Sequence, residues 1–184
     1  MAYPIVSAPY GFKPINLIGG QVFAGSTRQY PVAYNYGTAL NNGDLVKLST
    51  GSIVATALTY NSTAYDAGTV GVFLGCSYTS PITGQKIFAN NLPANTLAND
   101  IVAYVEDDPD AVFKAVIVSY STGANTTPLL VSQAYVGTNV FVNSTNTPLA
   151  VNTYPPVGLS AQAVQAASGN TRLTTTAPFR IVGL

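Results

Sequence analysis

The densest chemistry in this chain is one turn, Glu106-Asp107-Asp108-Pro109-Asp110, which holds four of its seven acidic residues. Clustered carboxylates of this kind have three uses. They can gather the several oxygens that a hard cation such as calcium wants from one loop. A pair of them can act as the acid and base of a glycosidase, but that requires two groups facing each other across a cleft rather than neighbours on a hairpin tip. They can also form a solvated turn that docks on a basic surface. The spacing departs from an EF-hand loop, and Pro109 stiffens the turn. A solvated turn, a docking contact and a cation site are therefore the readings, in that order.

The rest of the chain gives a catalyst little to work with. There is no histidine, no tryptophan and one cysteine, beside four lysines and three arginines. A serine triad would lack its histidine, and no Cys/His metal set can be assembled. No Gly-Lys-Ser/Thr phosphate loop and no Gly-x-Ser-x-Gly elbow occurs. Cys76 follows Val72-Phe73-Leu74-Gly75, which predicts a small buried hydrophobe rather than a reactive thiol. The expectation is a non-enzymatic protein without cofactor or metal that works through its surface. A carboxylate-based hydrolase is the remote alternative.

Charge and hydropathy narrow the partners. Seven basic residues balanced by seven acids leave no electrostatic footprint for nucleic acid or an anionic membrane. No apolar run approaches the roughly 20 residues needed to span a bilayer. The start, Met-Ala-Tyr-Pro-Ile-Val, lacks the basic region and apolar core of a signal peptide, so synthesis in a cytoplasm is expected. Sequons at Asn61, Asn125 and Asn143 read as turn chemistry. The twelve tyrosines are the most interface-like component, since tyrosine offers amphipathic area at low entropy cost. The plainer reading makes many of them core or rim residues of a β fold.

The elements that must hold these groups are strands. Short runs rich in Val, Ile, Tyr, Phe and Thr recur between Gly, Pro, Asn and Asp, the pattern of a sandwich or barrel. Residues 29–34 read as an edge strand. Residues 44–48 and 53–57 read as a hairpin, and residues 69–76 as a largely buried strand. Residues 100–105 and 112–118 flank the acidic turn and predict a second hairpin. Residues 134–136 and 139–142 read as short strands. The sole helical candidate is Ser160 to Ala167, which reads as one or two turns or as a loop. Residues 1–20, with prolines at 4, 9 and 14, read as an extended N-terminal arm that either straps its own domain or reaches a neighbour. Residues 21–184 then form a single β domain with a possible sub-boundary near 119–127.

Several stretches carry a resemblance. Gly11-Phe12-Lys13-Pro14, the run GQVFAGSTRQY from Gly20 to Tyr30, the turn Asn42-Gly43-Asp44-Leu45-Val46-Lys47 and Asp107-Asp108-Pro109-Asp110-Ala111-Val112-Phe113 are similar to small structural proteins of tailed bacteriophages. In particular they resemble capsid decoration (cement, auxiliary head) proteins. The likeness spans residues 10–118 in pattern. It implies a virion component on the capsid surface that binds the major capsid protein after shell expansion and clamps adjoining capsomers. It also implies a homotrimer and an antiparallel sandwich or barrel of jelly-roll or β-tulip type. The expected contact residues are Tyr3, Pro4, Ile5, Tyr10 and Phe12 in the arm and Glu106, Asp107, Asp108 and Asp110 at the acidic tip. The alternatives are another virion part, such as a tail, fibre or head-tail connector protein, or a glycan-binding adhesive module.

Overall fold

The computed structural model describes residues 10–56, 68–119, 133–143, 160, 162–166 and 179–183. The strands are β1 (Lys13–Leu17), β2 (Arg28–Pro31), β3 (Leu40–Asn41), β4 (Leu45–Ser49), β5 (Ser52–Ala55), β6 (Thr69–Thr79) and β7 (Lys86–Ala89). They continue with β8 (Asn91–Leu92), β9 (Val102–Glu106), β10 (Ala111–Lys114), β11 (Ile117–Ser119), β12 (Asn139–Asn143), β13 (Ala163–Ala166) and β14 (Phe179–Arg180). The protein is essentially all-β and mainly antiparallel, with no α-helix among the described residues, and its sheets do not close into a barrel.

The eleven-residue β6 is the spine of a six-stranded sheet of order β2-β9-β6-β4-β5, with β7 also paired to β6. Its sequence, Thr-Val-Gly-Val-Phe-Leu-Gly-Cys-Ser-Tyr-Thr, is apolar on both faces because both faces are covered. Successive strand residues point to opposite sides. Accordingly Phe73 and Val46 enter one core, with Ile53, Leu40, Leu92, Ile101 and Val105. Their neighbours Val72 and Leu45 enter a second core, with Phe12, Val140, Val142 and Val164. The sheet is thus a middle layer. Gly71 lets it pack: a Cβ there would collide with the Glu106 carbonyl of β9.

The second core draws on distant parts of the chain. Phe12 stacks on Phe179 with ring centroids 4.8 Å apart, and Phe113 meets both rings edge-on at 6.2 Å. Such pairs add about 0.5–1.5 kcal/mol each beyond the area they bury. A small sheet of order β11-β13-β12-β14 caps this side, its β11–β13 pair parallel and the rest antiparallel.

Much of the expected layout is present. β2 is the edge strand ending at Pro31, β4 and β5 form the hairpin, and Cys76 is buried and free. Three expectations are corrected. The strands flanking the acidic turn do not pair with each other: β9 lies between β2 and β6, while β10 leaves to pair with β1. Both are apolar for burial in different cores, a difference the hairpin reading misses. Residues 163–166 are a strand rather than a helix, because Val164 is needed in the second core between β11 and β12. Residues 133–135 form a 3-10 turn rather than a strand. The N-terminal segment is part of the domain from residue 10 onward: Phe12 is core, and β1 is paired to β10 in a two-stranded sheet where Pro14 is tolerated. Residues 1–9 and 120–127 lie outside the described residues.

Candidate functional site

The acidic turn is positioned by the divergence of β9 and β10. The Glu106 side chain, at the end of β9, faces inward and the residue is 2% exposed. Its Oε1 accepts a hydrogen bond from the Asp108 amide at 3.2 Å, and its Oε2 has no partner. Burial pushes its carboxyl above the usual range, and the nearby charges of Asp108 and Asp107 push the same way.

Asp107 is held by two side chains from β2. The Tyr30 hydroxyl donates to Oδ2 at 2.8 Å, and Arg28 Nη1 lies 3.0 Å from the same oxygen. Burial and the hydrogen bond to Asp107 raise the Tyr30 phenol. Asp108 spends Oδ1 on the Asp110 amide at 2.9 Å, and its carbonyl accepts from the Ala111 amide at 3.1 Å. The turn is therefore a rigid, self-bonded knuckle. Asp110 stands exposed on it, and its carbonyl accepts from the Ile18 amide at 2.8 Å, tying the knuckle to the loop after β1. That loop carries exposed apolar side chains: Ile18 is 61% and Val22 80% exposed, next to Ile15 at 50%.

The anticipated contact set divides accordingly. Phe12, 1% exposed, is a core residue and gives no area to a partner; it is drawn in by the aromatic cluster. Glu106 is likewise turned inward and removed from the tip, because strand alternation at the end of β9 points it inward. Asp107 is engaged by Arg28 of its own chain. Asp108 and Asp110 remain toward solvent, and Tyr10 is half-buried beside Lys13, whose Nζ lies 4.9 Å from the ring centroid. Tyr3, Pro4 and Ile5 lie outside the described residues. No group of three or more His, Cys, Asp or Glu is arranged to hold a metal ion among the described residues.

Two constellations escaped the sequence reading. Asp100 accepts from the Thr79 amide at 2.9 Å, from the Thr79 hydroxyl at 2.7 Å and from Lys86 Nζ at 2.9 Å. The Thr79 bonds, then Lys86, hold its carboxyl well below the usual carboxylate range. Nothing local in the sequence links positions 79 and 100.

The other is a buried polar junction on the turn before β4. Asp44 Oδ2 accepts from the Asn41 amide at 2.8 Å, and the nearby Ser160 hydroxyl favours the charged form of this carboxylate. Gln162 Oε1 accepts from the Leu45 amide at 2.9 Å, and the Ser160 amide donates to the Asn42 carbonyl at 2.9 Å. The Phe12 amide donates to Gly43 O at 3.0 Å, so Phe12, residues 42–45, Ser160 and Gln162 are knotted together. Burial raises the Asp44 carboxyl, and its Oδ1 has no partner. The Asn-Gly-Asp turn was legible as a turn; its distant partners were not.

Comparison of this chain with protein-family models, with curated proteins and with solved structures returns no match.

Proposed function

We propose that this chain is a structural virion protein of the capsid-decoration type, which binds the outer surface of a tailed-phage shell and clamps adjacent capsomers. The virion assignment rests on the sequence resemblance of residues 10–118. The docking mode rests on one observation: the acidic knuckle is held rigid by Arg28, Tyr30 and its own amides, and it presents Asp110 beside the exposed Ile18. A preorganised charge next to apolar area suits a protein contact, because little side-chain order has to be imposed on binding. Among the described residues, several groups that chemistry would need are committed elsewhere. Cys76 is buried with its thiol pushed up to about 11, and Asp100 and Asp107 are paired with Lys86 and Arg28. The proposed role is non-enzymatic.

On the shell, the major capsid protein is the partner, met by the acidic tip and by the segment containing Tyr3, Pro4 and Ile5. The test mixes the protein with expanded and unexpanded capsids of the phage that encodes it and images both by cryo-electron microscopy. Regular density on expanded shells only is the expected result. Loss of occupancy on deleting residues 2–9, or on Asp110→Lys, would assign the contacts. Bare shells in both samples would overturn the capsid role and move the assignment to a tail, fibre or connector part.

A further inference from the structure

The β1–β10 ribbon has one face turned to solvent, and its charges are arranged in a particular order. Pairing of Lys13 with Lys114 puts both side chains on one face at one end of the ribbon. The next pair, Pro14 and Phe113, is turned inward, with Phe113 against Phe12 and Phe179. A bulge then sets Ile15 and Asn16 together opposite Val112; Ile15 is exposed, whereas Asn16 is partly buried with its Oδ1 enclosed. The loop beyond adds Ile18 and Val22, the latter bridged to Asn16. At this far end stands Asp110, bonded through its carbonyl to the Ile18 amide. Lys13, Lys114 and Asp110 are all exposed, and neither Lys114 nor the Asp110 carboxylate has a partner among the described residues. The face thus runs positive, apolar, negative over roughly 14 Å, about four steps of strand rise.

A surface with this order is complementary to itself when turned through a two-fold axis. We infer that the outward face of the β1–β10 ribbon is the docking surface for a second copy of this chain, set antiparallel so that Lys13 and Lys114 of each copy meet Asp110 of the other. Ile15, Ile18 and Val22 of the two copies then cover one another, which accounts for three large apolar side chains left exposed side by side. The contact is isologous: each residue pair occurs twice, so two copies close the arrangement and a third cannot add to it. This inference does not depend on the virion reading and differs from the three-fold association that the resemblance implies; where it holds, Asp110 and Ile18 serve the second copy, and the proposed capsid contact falls to the segment containing Tyr3, Pro4 and Ile5.

The decisive experiment is charge exchange, read by sedimentation equilibrium over a concentration series. Lys13→Glu/Lys114→Glu makes the whole face acidic, and Asp110→Lys makes it basic. The parent protein is expected to be a reversible dimer. Each variant alone should dissociate at least about tenfold more readily, because like charges then face each other. An equimolar mixture of the two variants should regain the dimer as a heterodimer. Val22→Lys, in an exposed loop where the fold does not need the side chain, should also weaken the dimer. A parent that stays monomeric or forms a trimer would overturn the inference. So would a dimer that survives in all three variants, or a mixture that fails to re-form it while circular dichroism shows both charge variants folded.

Discussion

Asp44 and Asp107 solve the same problem in opposite ways. Both are carboxylates at a chain reversal, and both bind groups far away in sequence. Asp107 lies near the surface and meets a cation, Arg28, and a phenol, Tyr30. Asp44 is buried and meets only neutral groups, the Asn41 amide and the Ser160 hydroxyl, leaving Oδ1 without a partner. The difference divides labour between the two regions. Around Asp44, hydrogen bonds join three distant segments at the edge of the second core, so the region serves folding. Around Asp107, the bonds shape a surface knuckle whose loss would leave the cores intact, so the region is free to serve recognition.

The contrast is most exposed at Phe12, which the Asp44 turn holds through Gly43 and which anchors the second core. Phe12→Ala should lower the unfolding free energy by about 3–5 kcal/mol in denaturant titration, the cost of deleting a large buried ring. A loss below about 1 kcal/mol would mean that the N-terminal segment is not part of that core. Gln162→Ala leaves the buried Leu45 amide without its acceptor and should cost about 1–3 kcal/mol. Arg28→Ala removes a pair whose arginine is exposed and screened by solvent, so the denaturation midpoint should stay close to that of the parent. If Arg28→Ala proved as costly as Gln162→Ala, the division between a folding region and a recognition region would fail.

Titration separates the two regions further. Asp44 and Glu106 are both raised in the folded protein. The stability linked to them is fully present below the unfolded carboxylate value near 4, and is lost as pH rises through their folded values. Asp100 is lowered, so its contribution is present above the unfolded value and lost as pH falls below it. Thermal denaturation should therefore show stability rising from neutral pH toward about 4 and falling below that. Asp44→Asn should flatten the rise, since an amide pays no charge desolvation at this buried site. An unchanged profile in that variant would show that Asp44 does not titrate in the range.

What could be read in advance follows from range. Turn residues and strand runs are local, so the hairpin of β4 and β5, the edge position of the strand ending at Pro31 and the burial of Cys76 were all legible. The second hairpin failed because residues 102–105 and 112–114 are equally apolar whether they pair with each other or enter separate cores. Ser160 to Ala167 looked helical because its alanines and glutamines favour a helix locally, yet Val164 is claimed by the second core. The acidic cluster was visible, but its inward Glu106 and occupied Asp107 depend on where β9 and β2 lie.

The chain's composition alone determined an all-β protein with few chemically active groups, because strand propensity, turn residues and the lack of histidine are properties of residues taken singly or in short runs. Which carboxylate is buried, which is paired and which stands free was decided only by the tertiary structure. Those states depend on solvent and partners, and the partners here lie far along the chain: Arg28 for Asp107, Ser160 for Asp44 and Thr79 for Asp100.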